Sequence, residues 1–162
     1  MARRPVRQAR RAMPDPAAAL TPRAANGHTT RVDITYRDDA PLSVDQAIDL
    51  YQRSTLGARR PVDRPDVFEQ MLRHADVTIT AWAGEELVGI ARTLTDFGYV
   101  AYLADLAVDE AWQCRGIGRQ LIAETRARLG EGCMIVLLAA PAAADYYAKV
   151  GFEHHPRAWI QT

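Results

Sequence analysis

Lysine is almost missing from this sequence. Lys149 is the single copy, and the other basic residues are arginine. A phosphate loop of the G-x-x-x-x-G-K-[ST] kind is therefore excluded. Cysteine is nearly as scarce: Cys114 and Cys133 form neither a C-x-x-C pair nor a metal spacing with histidine. A disulfide framework is not expected, and a reducing cytoplasm is the natural setting. The neighbours His154 and His155 do not supply a metal site, because adjacent residues of a strand point to opposite faces; no metal is expected. No stretch is apolar for long enough to span a bilayer. A formal net charge of +0 gives no overall electrostatic case for nucleic acid or a membrane surface.

What remains is ordinary for one folded domain: 162 residues, 48% hydrophobic and 25% charged, enough to bury a core. Residues 1 to 30 stand apart. Arg3, Arg4, Arg7, Arg10 and Arg11 cluster ahead of Pro14, Pro16, Ala17 to Ala19 and Pro22, with little to bury. They are expected to form a disordered Arg/Ala/Pro-rich extension to a single domain over 31–162. The same composition leaves open a transit segment or a nucleic-acid-binding arm.

Periodicity orders the rest. Val32, Ile34 and Tyr36 alternate in a first strand over 31–37. Ser43 and Gln46 make a capping box ahead of Val44, Ile48, Tyr51 and Thr55, with Gly57 as the end of the helix. A loop over Ala58–Asp63 leads to a second helix marked by Val67, Phe68, Met71 and Leu72. Val77–Trp82 and Leu87–Leu94 read as strands joined at a hairpin turn, and Asp96-Phe97-Gly98 turns into a central strand over Tyr99–Val108. Ile117, Leu121, Ile122, Thr125 and Leu129 mark a helix with Arg126 and Arg128 near its end and Gly130 as C-cap. Met134–Leu138 is a continuous apolar run, expected to be a buried strand beside a parallel neighbour. Pro141 opens a last helix, Gly151-Phe152 ends it, and 152–155 and 157–160 are expected to finish a mixed α/β sheet.

The central strand runs through Gln113-Cys114-Arg115-Gly116-Ile117-Gly118 into a helix. Backbone N–H groups at a helix start lack intrahelical partners, and the dipole favours an anion there. Gly116 and Gly118 clear side chains from the approach, and Arg115 and Arg119 add fork-shaped donors, so a pyrophosphate suits the loop. The third glycine of G-x-G-x-x-G is absent, since Leu121 stands there.

Gln113-x-x-Gly116-x-Gly118, preceded by Asp105-Leu106-Ala107-Val108, resembles the acetyl-CoA-binding core of the GNAT superfamily of N-acetyltransferases. Tyr146-Tyr147-Ala148-Lys149-Val150-Gly151-Phe152 is similar to the family's aromatic-Tyr-x-x-x-Gly-Phe segment, and the two lie in the family's order. The resemblance implies a GNAT-like mixed, mostly antiparallel central sheet, flanked by about four helices and splayed between its fourth and fifth strands. It implies acetyl-CoA as cosubstrate and direct attack by a primary amine of an unidentified acceptor, small molecule or peptide. It also implies association of two copies through sheet edges or terminal strands, for which Ala158-Trp159-Ile160 is a candidate.

By the same resemblance, Gln113, Cys114, Arg115, Gly116, Ile117, Gly118 and Arg119 take the pyrophosphate, while Leu106, Ala107 and Val108 offer backbone groups to the pantetheine arm. Tyr147 is the candidate general acid, since a phenol with pKa near ~10 can protonate a thiolate. An alkyl amine is only about one part in a thousand neutral at pH 7, worth roughly 4 kcal/mol, so a base is wanted. The family's Glu or His positions are occupied by Tyr102, Leu103 and Ala104, which leaves Asp105 as the strand's only carboxylate. Asp105 is the candidate base, amine anchor or turn residue; strict alternation places it opposite Tyr102 and Ala104 unless a bulge intervenes. The resemblance also implies that the first two helices and their junction shape the acceptor pocket, which makes Arg59, Arg60 and Asp63 candidate acceptor contacts, the two arginines favouring an acceptor with a carboxylate or phosphate. The absence of the usual base keeps a rival reading, a non-catalytic acyl-CoA-binding sensor or structural module.

Overall fold

A computed structural model describes residues 32–161. The extension expected over residues 1 to 30 lies outside the described residues. Five strands form one sheet in the order β1 (Ile34–Arg37), β2 (Val77–Ala83), β3 (Glu86–Thr95), β4 (Val100–Val108) and β5 (Met134–Val136). The first four are antiparallel, and β5 runs parallel to β4. Helices α1 (Val44–Arg53) and α2 (Pro65–Arg73) connect β1 to β2, α3 (Ile117–Ala127) connects β4 to β5, and α4 (Ala144–Lys149) follows β5. This is the mixed, mostly antiparallel sheet with four helices that the motifs imply.

Each helix starts and packs for local reasons. The Ser43 hydroxyl accepts from Gln46 N, and the Gln46 amide oxygen accepts from Ser43 N, both at 3.1 Å. Such a cap stabilises a helix by ~1 kcal/mol. Ala47, Leu50 and Tyr51 then fall on one buried stripe, against Phe68 of α2 and Trp82, Ile90 and Ala107 of the sheet. Proline begins α2, where its missing N–H costs nothing. On the opposite face Ile117, Leu121 and Ile122 of α3 pack against Ile79, Ala81, Val88 and Ala91. With helices on both sides, β3 is buried almost continuously from Leu87 to Thr93.

Two features of β4 shape everything beside it. Its pairing with β3 skips a residue: Arg92 is opposite Asp105 and Thr93 is opposite Leu103, so Ala104 is bulged. The bulge inverts the facing pattern: Leu103 joins the core on the α3 side, whereas Asp105 turns toward α1. Its pairing with β5 ends early, at Tyr102 opposite Val136. From Leu103 to Val108, β4 has no strand on that side among the described residues. The sheet is splayed there, between its fourth and fifth strands.

The end of the chain differs from expectation. No strand forms over 152–160. Beyond Gly151, which ends α4 at φ 95°, Pro156 withholds a ladder donor and the three-residue β5 offers a short edge. Met134–Leu138 is accordingly not buried: β5 is a sheet edge, with Met134 51% and Leu138 50% exposed. Gly130 is one step removed from its expected role, since Arg128 caps α3 and Gly130 N donates to Phe97 O at 2.8 Å. Among the described residues no helix is long and apolar enough to cross a membrane.

Candidate active site

The site assembles where the open half of β4 runs out into α3. A 3-10 turn, Glu110–Trp112, begins with the Asp109 carboxylate accepting from Ala111 N at 2.8 Å. Gln113 folds back, its side-chain amide donating to Val108 O at 3.1 Å. The chain then takes positive φ at Cys114 (60°) and at Gly116 (83°), the residue that caps α3. Gly116 accommodates this freely, and a Cβ there would meet nothing within 4 Å. From Cys114 through Arg119 the backbone N–H groups donate to no protein acceptor among the described residues. Successive unpaired donors at a helix N-terminus form a concavity suited to a phosphate group.

The other loop residues are held in place. Ile117 points into the core at 2% exposure, so it offers the site its backbone alone. The Arg115 guanidinium stacks 4.6 Å from the Trp112 ring centroid and donates to Ala111 O at 3.1 Å. Arg119 donates to Lys149 O at 3.2 Å, bracing α3 against the end of α4. Gly118 marks a close approach, because a Cβ there would lie 2.7 Å from the Tyr146 hydroxyl. Tyr146 thus packs over the loop. Cys114 is exposed. On β4 the Ala107 side chain is buried, while Leu106 and Val108 are partly buried against the α3 side.

Tyr147 is partly buried on α4, edge-to-face with Tyr146 and Phe152 at centroid distances of 5.4 and 5.6 Å. Its hydroxyl has no hydrogen-bond partner among the described residues. Burial pushes its phenol above the ordinary value, Tyr146 adds to this, and the Arg59 charge opposes it. The proton is therefore retained at neutral pH.

Asp105 is placed quite differently. Its side chain is fully enclosed. Oδ1 accepts from Arg60 Nε at 2.5 Å, and Oδ2 accepts from Arg92 Nε at 2.5 Å and the Tyr51 hydroxyl at 3.0 Å. Burial, with the neighbouring carboxylate second, drives the Tyr51 phenol far upward, which keeps it a donor. Three donors and no solvent access do not suit the base or amine-anchor role expected of Asp105. The network was not foreseen: Tyr51 and Arg92 carried no signal in the sequence. Arg60 is consumed by it, donating also to Ala104 O and Arg59 O, each at 2.8 Å. Asp63 is exposed, and its charge acts on Arg64. Arg59 is exposed and carries no carboxylate partner among the described residues.

Nearby, Arg53 at the end of α1 bridges Asp109 and donates to Leu87 O at 3.0 Å, tying α1 to the end of β4. His154 and His155 are exposed, the latter accepting from Arg157. No group of three or more metal-ligating side chains occurs among the described residues. A cavity of about 390 Å³ lined by Asp38, Leu42, Glu69, Leu72, Arg73 and Thr80 opens beside α2 and β2, among none of the loop residues.

A splayed β4, an unpaired donor loop at the start of α3 and a tyrosine on α4 together describe an acyltransferase. Residues 74–154 match the model of the acetyltransferase (GNAT) domain, and the chain belongs to that family. It is 28% identical over 129 residues to the uncharacterised N-acetyltransferase ycf52 of Pyropia yezoensis, a match covering 73% of this chain and 72% of that one. A GNAT-family acetyltransferase of Streptococcus pneumoniae TIGR4 superposes with TM-score 0.65 at 25% identity, over 80% of this chain and 98% of that one. The fold is also that of AAC(6')-Iy, solved in complex with the bisubstrate analogue CoA-S-monomethyl-acetylneamine, at TM-score 0.62 and 20% identity over 80% and 97% of the two chains.

Proposed function

We propose that this acyltransferase moves an acetyl group from acetyl-CoA to a primary amine by direct attack, without an acyl-enzyme. The observation that carries the reading is the run of unpaired backbone donors from Cys114 through Arg119, placed at the end of a strand whose outer edge is open. These donors, with Gln113, Arg115 and Arg119, would hold the pyrophosphate. The free edge over Leu106, Ala107 and Val108 would take the pantetheine as an added strand, and a backbone N–H there would face the developing oxyanion. Tyr147, uncharged and unpartnered, would protonate the departing thiolate.

Asp105 belongs in this scheme as a positioning residue. Through Arg60 it fixes the α1–α2 connection against the Ala104 bulge. With no carboxylate free in the strand, the acceptor amine would lose its proton through water or arrive neutral. The free thiols of Cys114 and Cys133 suit work in a reducing cytoplasm. The exposed β5, and separately Trp159 and Ile160 at 95% and 71% exposure, favour a dimer.

The test is the thermal stability of the purified protein with acetyl-CoA, for wild type and Gly116→Glu. At about a hundred times its dissociation constant the ligand adds ~2.7 kcal/mol, a visibly raised midpoint. The substituted protein should fold, with a modest penalty at positive φ, and show no shift. An unshifted wild type at millimolar acetyl-CoA would sink the reading. Tight binding without turnover over a broad amine panel would favour a non-catalytic acyl-CoA module instead.

A further inference from the structure

We infer that Arg59 reads a carboxylate on the acceptor, so that the acceptor is an amine carrying its own anionic group, such as an amino acid or a peptide with a free C-terminus. The inference rests on the acetyltransferase reading above and names the acceptor class for that site.

The arginines around β4 divide sharply. Arg92 and Arg60 are spent on Asp105, and Arg53 on Asp109. Arg115 and Arg119 have no carboxylate partner among the described residues and stand in the anion loop. Arg59 has none either, and it is outside that loop. It closes the 3-10 turn Gly57–Arg59 between α1 and α2.

Its backbone is pinned twice, by Arg59 N donating to Leu56 O at 2.9 Å and by Arg60 Nη1 donating to Arg59 O at 2.8 Å. The same Arg60 guanidinium binds Ala104 O, at the bulge, two residues past the last β4–β5 pair. The Arg59 backbone is thereby tied through Arg60 to the β4 bulge, with its side chain exposed. From the other side its charge reaches the Tyr147 phenol. An exposed guanidinium on a pinned backbone, with its charge felt at the candidate acid, is a fork for a carboxylate, and the fixed backbone lowers the ordering cost of using it.

The experiment compares matched amines as acceptors in an acetyl-CoA-dependent assay of free thiol: L-phenylalanine with phenethylamine, L-lysine with cadaverine, and glycylglycine with its amide. Wild type should favour the carboxylate member of a pair by about tenfold or more in kcat/KM, as a charge-assisted contact gives. Arg59→Gln should collapse that ratio through KM of the carboxylate acceptor, Arg59→Lys should retain part of it, and the acetyl-CoA thermal shift should persist in both. A merely structural arginine would depress both members of each pair alike. Turnover without a carboxylate preference, or a preference that survives Arg59→Gln, overturns this inference and leaves the acetyltransferase reading standing. No turnover of any amine despite an acetyl-CoA shift overturns both.

Discussion

The role proposed for Tyr147 depends on that side chain's surroundings. A solvated phenol gives up its proton near ~10. Here burial raises that value, with Arg59 as the opposing charge. The sign follows from the proposed role: if Tyr147 is the acid, its protonated form is the useful one, so activity should fall only above the ordinary phenol range as pH rises. Tyr147→Phe should lower kcat on the order of a hundredfold, leave KM for acetyl-CoA near its wild-type value, and remove that alkaline limb. A pH–rate profile of both proteins checks it. The place of Tyr147 on the last helix was legible from the sequence because its motif is local, four residues ahead of Gly151. Asp105 was visible as a residue but not as a role. Its partners Arg92, Arg60 and Tyr51 lie 13, 45 and 54 positions away, and nothing local announces such a meeting.

At the scale of elements, that meeting is a joint. One carboxylate engages α1 through Tyr51, the α1–α2 connection through Arg60, and β3 through Arg92, which also donates to Met71 O of α2 at 3.2 Å. Replacing a well-paired buried ion by one that cannot accept both guanidiniums leaves charge stranded, at a cost of about 3–5 kcal/mol. Asp105→Asn should lower the urea midpoint accordingly. It should also weaken acceptor use more than acetyl-CoA binding, because the donor loop lies on the α3 side. Strands and helices themselves were mostly readable, since periodicity and the Ser43–Gln46 capping box are local. The Ala104 bulge was not, as neither alanine nor its neighbours carry a bulge signature. Nor was the exposure of β5: an apolar run is written alike whether a further strand covers it or not.

At the scale of the molecule, the described residues leave apolar side chains exposed. Trp159 and Ile160 stand in solvent, as do Met134 and Val136 of β5 and Leu138 beyond it. A second copy would cover such surface. Light scattering after size exclusion should report a dimer for wild type and a monomer for Trp159→Ser; a monomeric wild type at tens of micromolar would remove the dimer from the scheme.

The outer edge of β4 has one more consequence. Although Ala104 O and Val108 O accept from side chains, peptide groups left without a strand partner are a template for any extended chain, including another molecule's. The cosubstrate that would lie along Leu106 to Val108 would therefore also act as a shield. An enzyme kept loaded would resist clumping, while one starved of acetyl-CoA would present bare strand to its neighbours. The longevity of the protein would then follow the supply of the compound that the proposed reaction consumes.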